Sequence, residues 1–483
     1  PSPSRLGAAP GPPGSAGRAL SGRFLQLSDV HLDPWYDATV GRGCMCNSFE
    51  AQAAWCAASA AGGCSASACP RSGTGNPYGQ RGCDTPAATL HAALRAAAAT
   101  APAGGYDWVL MTGDYVRHHV KRLARANKTA LVCEVLRQAT GIIQAYFPEA
   151  KVHYGFSPES FVLGNNDFGL DYDNGDEDLS REGAGLEGAE NPFFFWLGEL
   201  FHAQFAQRGL TWPSVAGGHD DWLFDARRSF SHGGFFAEQL TPWLVLVSLN
   251  TVIYSSRHVW PGTGPPADPL GQLDWLDRLL VVLEGRSTRG QPSSRALIVG
   301  HIPPTVDSYH FTGLWHDSYV AKYTDLIARH ADAISGQLFA HMHCDTFRLM
   351  PGARHPIFVS GAVSPIFANS PSFRIWTYHD AELVDFTVYA AQLLETGPQH
   401  ELKFAPFYTA RERFNLTSLE AAEWQHQVAG RLEVSESVWT HYLSALWLRD
   451  DTTWTQAFRL RSACATRHLR EDDFGACVAS LAG

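Results

Sequence analysis

Apolar runs of roughly four to eight residues recur along this 483-residue chain, each closed by Gly, Asp, Asn or His, and they alternate with longer segments of helical spacing. The runs predict strands at 23–29 ("RFLQLSD"), 107–114 ("DWVLMTGD"), 160–167 ("SFVLGNND"), 243–250, 295–301, 333–343 and 356–363. Helices are expected at 86–100, 127–147, 192–208, 268–284 and 316–331, and a helical stretch at 415–483. Strands alternating with helices indicate an α/β layered domain, taken here as residues 23–400, followed by a C-terminal helical subdomain at 401–483. Residues 1–22, rich in Pro, Gly and Ala, read as a flexible lead.

Composition narrows the function classes. At 45% hydrophobic and 18% charged residues the chain is globular. A net charge of -11 without a long Lys/Arg block argues against a nucleic-acid-binding surface. A phosphate-bearing substrate would need local positive charge, most simply metal ions. Of ten cysteines, six fall within 44–83 (Cys44, Cys46, Cys56, Cys64, Cys69 and Cys83). Their spacing forms no paired C-x-x-C knuckles, so disulfides are expected there. Cys464 and Cys477 are expected to close another loop. The sequons at Asn127 and Asn415 agree with a secretory route, to the outside or to a vacuolar-lysosomal lumen. With no run of about 18 apolar residues, no transmembrane span is expected.

The chemistry sits where the strands end. "LSDVH" carries Asp29 and His31, "TGD" carries Asp114, "LGNND" carries Asn165, "VGHIPP" carries His301, and "AHMH" carries His341 and His343. Open α/β sheets bind ligands beyond the carboxyl ends of their strands, so these residues can share one site. Four imidazoles with carboxylates and an amide oxygen suit borderline transition metals. Seven such groups exceed what one tetrahedral ion uses, and a carboxylate can bridge a pair about 3.5–4 Å apart.

The order D-x-H, G-D, G-N-x-D, G-H and G-H-x-H resembles the calcineurin-like metallophosphoesterase superfamily. More narrowly, "SDVHLDPWY", "GCDTP", "TGDYVRHH", "GHIPP" and "FAHMHCDTF" resemble the acid sphingomyelinase-like phosphodiesterases and the vacuolar endopolyphosphatases. Ala340 departs from the family's glycine without removing a ligand. The resemblance implies two mixed β-sheets packed face to face and flanked by helices, a four-layer sandwich. It implies one metal ion on Asp29, His31 and His343, a second on Asn165, His301 and His341, and Asp114 between them. The cofactor is then a pair of divalent transition-metal ions, zinc first, with iron or manganese as the other choices. The activity implied is hydrolysis of phosphodiester or phosphoanhydride bonds by activated water, on a phosphorylated small molecule, lipid head group or polyphosphate.

Asn166 stands where most of the superfamily has a histidine. An amide can hydrogen-bond a phosphate oxygen but delivers no proton. His118, four residues beyond Asp114, is expected to be the general acid, with Arg117 and His119 as phosphate contacts. Asp167 is expected to orient its neighbours. Loss of the usual histidine also allows a reading from another class, a non-catalytic metal-bound receptor or regulatory protein. "DYDNGDED" (171–178) fails the EF-hand template and reads as a solvated acidic loop. Cys344 is expected to be a packed or disulfide-bonded thiol.

Overall fold

The computed structural model describes residues 21–42, 46–47, 73–120, 128–147, 162–168, 225–258, 264–288, 294–394 and 399–482, with a few isolated positions at 194–195, 197–198, 260 and 397. Among these residues the strands form two mixed sheets. The first has the order β11 (Phe404–Thr409), β10 (Glu382–Ala391), β9 (Ser372–His379), β1 (Ser21–Leu27) and β2 (Val109–Met111). The second runs β3 (Phe236–Thr241), β4 (Leu244–Ser248), β5 (Arg295–Val299), β6 (Ile334–Phe339), β8 (Ile357–Val359) and β7 (Thr346–Arg348).

β1 and β2 are parallel, as are β4, β5, β6 and β8 in turn. Their residues are mostly apolar and buried on both faces, as expected of strands covered on each side. The sheets meet face to face: Phe358 of β8 packs edge-on against Trp376 of β9 and Phe386 of β10. A Cβ at Gly336 of β6 would lie 2.6 Å from Leu383, so that strand needs its glycine to let β10 approach. Helices α1 (Ala87–Ala99), packed on the first sheet, and α4 (Gln272–Thr288), packed on the second, cover the outer faces. Between them in sequence stand α2 (Lys128–Tyr146) and α3 (Ala226–Gly233), and α5 (Asp317–Arg329) follows.

The segment 160–167 departs from the expected strand. Among its described residues, the Val162 N–H donates to the Met111 carbonyl, and a 3-10 turn then occupies Asn165–Asp167. β11 lies beyond position 400 yet pairs with β10, so the first sheet draws on residues assigned from sequence to the helical region. The helices that follow are α6 (Ala410–Phe414), α7 (Ala421–Gln427), α8 (Glu436–Trp447), α9 (Gln456–Ala465) and α10 (Glu471–Ala482). Their apolar residues, Trp424, Trp439 and Leu446 among them, join the same core as the sheets. Cys464 and Cys477 are bonded as expected, and Cys46 pairs with Cys83. The other cysteines of the 44–83 stretch, Asn127 and the acidic 171–178 segment lie outside the described residues. Cys344 is a buried free thiol, and Asn415 is exposed. No helix among the described residues is long and apolar enough to cross a membrane.

Candidate metal centre and active site

Four strand ends and one extended segment deliver the seven expected groups to one place. β1 leads into Asp29 and His31, β2 into Asp114, the extended residues 162–164 into Asn165, β5 into His301, and β6 into His341 and His343. Five of the seven turn back with left-handed backbone: Asp29 (φ 46°), His31 (43°), Asp114 (57°), His341 (73°) and His343 (53°). A non-glycine residue in that region costs roughly 1–2 kcal/mol, so such a cluster marks a place where geometry is held for a purpose. Gly113 is required by the same crowding. Its φ is 93°, and a Cβ there would stand 2.6 Å from His301 Nδ1.

The imidazoles are aimed by backbone carbonyls. His31 Nδ1 lies 2.9 Å from the Val116 carbonyl oxygen and His301 Nδ1 2.7 Å from that of Thr112, which puts the proton on Nδ1 and turns each Nε2 lone pair inward. Thr251 Oγ1 accepts from the N–H groups of His301 and Ile302, fixing the turn after β5. The inward nitrogens then crowd together: His31 Nε2 is 3.1 Å from His343 Nε2, and His341 Nδ1 is 3.3 Å from His301 Nε2. Nitrogens bound about 2.0–2.1 Å from one ion sit about 2.9 Å apart at right angles and about 3.4 Å apart in a tetrahedron, so these spacings fit shared coordination.

The oxygens complete the arrangement. Asp29 Oδ2 accepts from Ser28 Oγ at 2.7 Å, while Oδ1 is buried without a hydrogen-bond donor and lies 3.5 Å from His343 Nε2. Asn165 Oδ1 is likewise buried without a donor. Asp114 Oδ2 stands 3.3 Å from His31 Nε2 and 3.2 Å from His301 Nε2, midway between the two halves of the cluster. Orphaned buried oxygens are costly unless a cation takes them up, and this donor set fits a pair of divalent ions.

Electrostatics divide these groups. Burial, helped by His118, pushes His31 down to about 4, and burial with His301 pushes His341 down to about 3, so both are neutral ligands near pH 7. Burial and the nearby Asp114 carboxylate raise Asp29 to about 7. Burial acts against the charge on Asp114, but His301 and His31 hold its carboxyl well below the usual range. Against the lowering effect of burial, Asp114 in turn raises His301 to about 9.

Around this centre the remaining expected residues separate. Asp167 is a structural knot: its carboxylate accepts from the N–H groups of Asp114, Gly164, Tyr115 and Val116 at 2.8–3.1 Å. Asn166 donates from its backbone and side-chain nitrogens to the two oxygens of Asp114, each at 2.8 Å, and so steadies that carboxylate. His118 stacks on His31, and its Nδ1 lies 2.8 Å from Asp84 Oδ1. His118 and His119 border a cleft of about 580 Å3 that also reaches Asn165, Asn166, His341 and the exposed Arg257. Arg117 corrects an expectation. Its buried guanidinium turns away from the cleft to Asn47 and Asp33, where it neutralises a carboxylate instead of facing a phosphate.

Sequence reasoning gave Asp84 and Arg257 no role. Asp84 follows Cys83 in "GCDTP", and its fully buried carboxylate also accepts from the His118 N–H at 2.9 Å. Burial opposes its charge, yet His118, His31 and Arg117 hold it well below the ordinary carboxylate range. A buried acid bonded to a cleft histidine is the legible part of that signal. Arg257 has no motif to announce it.

Relatives match nearly the whole chain in sequence. Mouse (Mus musculus) "Acid sphingomyelinase-like phosphodiesterase 3b" is 25% identical over 489 residues, covering 97% of this chain and 92% of its own. Human (Homo sapiens) "Cyclic GMP-AMP phosphodiesterase SMPDL3A" is 23% identical, covering 95% and 90%. "Sphingomyelin phosphodiesterase A" of Dictyostelium discoideum is 24% identical, covering 94% and 68%. Among solved structures, a dimetal phosphatase from Danio rerio aligns with a TM-score of 0.37 at 11% identity over 80% of this chain and 99% of its own. The sequence profile of the calcineurin-like phosphoesterases matches residues 22–345, and the chain belongs to that family.

Proposed function

We propose that the protein is a dinuclear-metal phosphodiesterase, with Asp29, His31 and His343 holding one ion, Asn165, His301 and His341 the other, and Asp114 both. The observation that carries this reading is the convergence of Asp29 Oδ1, Asn165 Oδ1, Asp114 Oδ2 and four imidazole nitrogens, those of His31 and His301 anchored from behind by backbone carbonyls, at one end of the cleft. The ions, zinc before iron or manganese, would supply charge neutralisation and a water acidic enough to attack phosphorus near neutral pH.

The chain's own groups do the rest. Asp167 and Asn166 fix Asp114 so that its carboxylate cannot rotate out of the centre. Asp84 holds the His118 Nδ1 proton, leaving Nε2 to protonate the departing oxygen, the role that Asn166 cannot fill. A retained general acid matters most for an alkoxide leaving group and little for a departing phosphate. That favours phosphodiesters over polyphosphate, in line with the phosphodiesterase names of the relatives. The disulfides Cys46–Cys83 and Cys464–Cys477 favour a secreted or vacuolar-lysosomal setting, with Asn127 and Asn415 as glycan acceptors.

Hydrolysis of bis-p-nitrophenyl phosphate by chelator-stripped protein, with zinc or manganese restored across pH 4–8, tests the reading. Metal-dependent release of p-nitrophenol supports it. A folded, metal-loaded protein without turnover would favour a binding protein.

A further inference from the structure

One large apolar side chain stands exposed directly over this centre. Phe367 is 42% accessible, on a turn whose conformation is over-determined. The Ala368 N–H donates to the Pro365 carbonyl, and Ala368 itself is left-handed (φ 66°). Arg449 donates to the Ala368 carbonyl, and the buried Asn369 side chain bonds the Ser364 and Ser370 carbonyls. A strained, braced turn that holds an aromatic ring in solvent is presenting it, because neither strain nor exposure stabilises the fold.

The ring's neighbours say what it is presented to. Its centroid lies 4.7 Å from that of His343 and 5.7 Å from that of His118, edge-on to both, and 5.6 Å from that of Tyr309 on the cleft wall. With His118 as the proton donor, a group leaving from phosphorus passes beside this ring. With 42% of its surface exposed, the ring keeps area that a flat group can cover, whereas a long alkyl chain needs enclosure. A quaternary ammonium would meet Arg257 across the cleft. Besides Asp114 of the metal centre, the carboxylate lining the cleft is Asp307, which already accepts from Thr312 Oγ1 and the N–H groups of Tyr309 and His310.

We infer that Phe367 is a specificity-determining platform on which the leaving group of the phosphodiester stacks, and that this group carries a planar ring: an aryl alcohol, or a nucleoside through its base. The inference rests on the phosphodiesterase reading above. Base stacking on an aromatic side chain, judged by alanine replacement, is worth about 1–3 kcal/mol, which corresponds to roughly 5- to 150-fold.

The test uses methyl p-nitrophenyl phosphate, whose only ring is the leaving group, with inorganic phosphate as a ring-free competitor, on the metal-loaded full chain. Phe367→Ala should lower kcat/KM at least 5-fold, mainly by raising KM, and leave the inhibition constant of phosphate unchanged. Phe367→Trp should restore KM. Unchanged kinetics in the alanine variant, or an equal loss of phosphate affinity, would overturn the platform while leaving the phosphodiesterase reading intact. A penalty seen with p-nitrophenylphosphocholine but absent from the methyl ester would overturn it in favour of a cation seat. A wild-type chain that hydrolyses neither ester would sink both readings together.

Discussion

The imidazoles of His118 and His31 stack with centroids 3.9 Å apart, one ring anchored to Asp84 and the other aimed into the metal centre. The pair places a proton donor against the metal cluster on a shared face. His118→Ala is therefore expected to cut turnover by about 10²–10⁴ on diesters with an alkoxide leaving group, and far less on p-nitrophenyl esters. Asp84→Asn should lose part of the same factor with the same dependence on leaving group, and neither variant should lose metal. Equal losses on good and poor leaving groups would remove His118 from the acid role.

Asp167 makes a second prediction. Its carboxylate serves four buried backbone N–H groups around Asp114, which lose that acceptor when it is gone. Asp167→Ala should destabilise the fold by several kcal/mol, since each unsatisfied buried donor costs roughly 1–3 kcal/mol. Where the variant folds, metal affinity should fall about 10- to 100-fold. Asp167→Asn keeps one acceptor oxygen and should lie between. Chemical denaturation and metal titration read the two effects separately, and a variant of native stability would contradict the knot.

His355 gives a pH prediction away from the metals. The residue is 3% exposed, and burial, with Arg354 nearby, pushes it down to about 4 against the ordinary 6.5. A histidine kept neutral in the fold binds its proton more readily when unfolded. Its contribution is full above pH 6.5 and is lost as pH falls towards 4, with a slope approaching about 1.4 kcal/mol per pH unit. His355→Gln should flatten the loss of stability between pH 6.5 and 4 when melts are compared with wild type. An identical slope in the variant would show that His355 titrates normally.

Much of the site is written where apolar runs stop, because a parallel strand hands its next residues to the cleft whatever the loop length. That is why Asp29, Asp114, His301 and His341 stand out as cleft residues at the ends of apolar runs. Arg117 was misread because its neighbours in sequence are cleft residues, whereas its charge is spent on Asp33, 84 positions earlier and invisible to local pattern. β11 was missed for a physical reason. It is an edge strand, half exposed and carrying Pro406 close to the register shift between Val388 and Tyr389, so its pattern breaks the alternation expected of a strand. The segment 160–167 erred the other way: its apolar start continues into a turn that Asp167 stabilises from its own side chain.

The central claim is tested most directly by counting metal in protein of known specific activity. Elemental analysis should find two transition-metal ions per chain, falling towards one in His301→Ala and towards one in His343→Ala, with hydrolysis of bis-p-nitrophenyl phosphate lost in step. Full activity in protein that carries no transition metal, or unchanged metal content in both variants, would contradict the account.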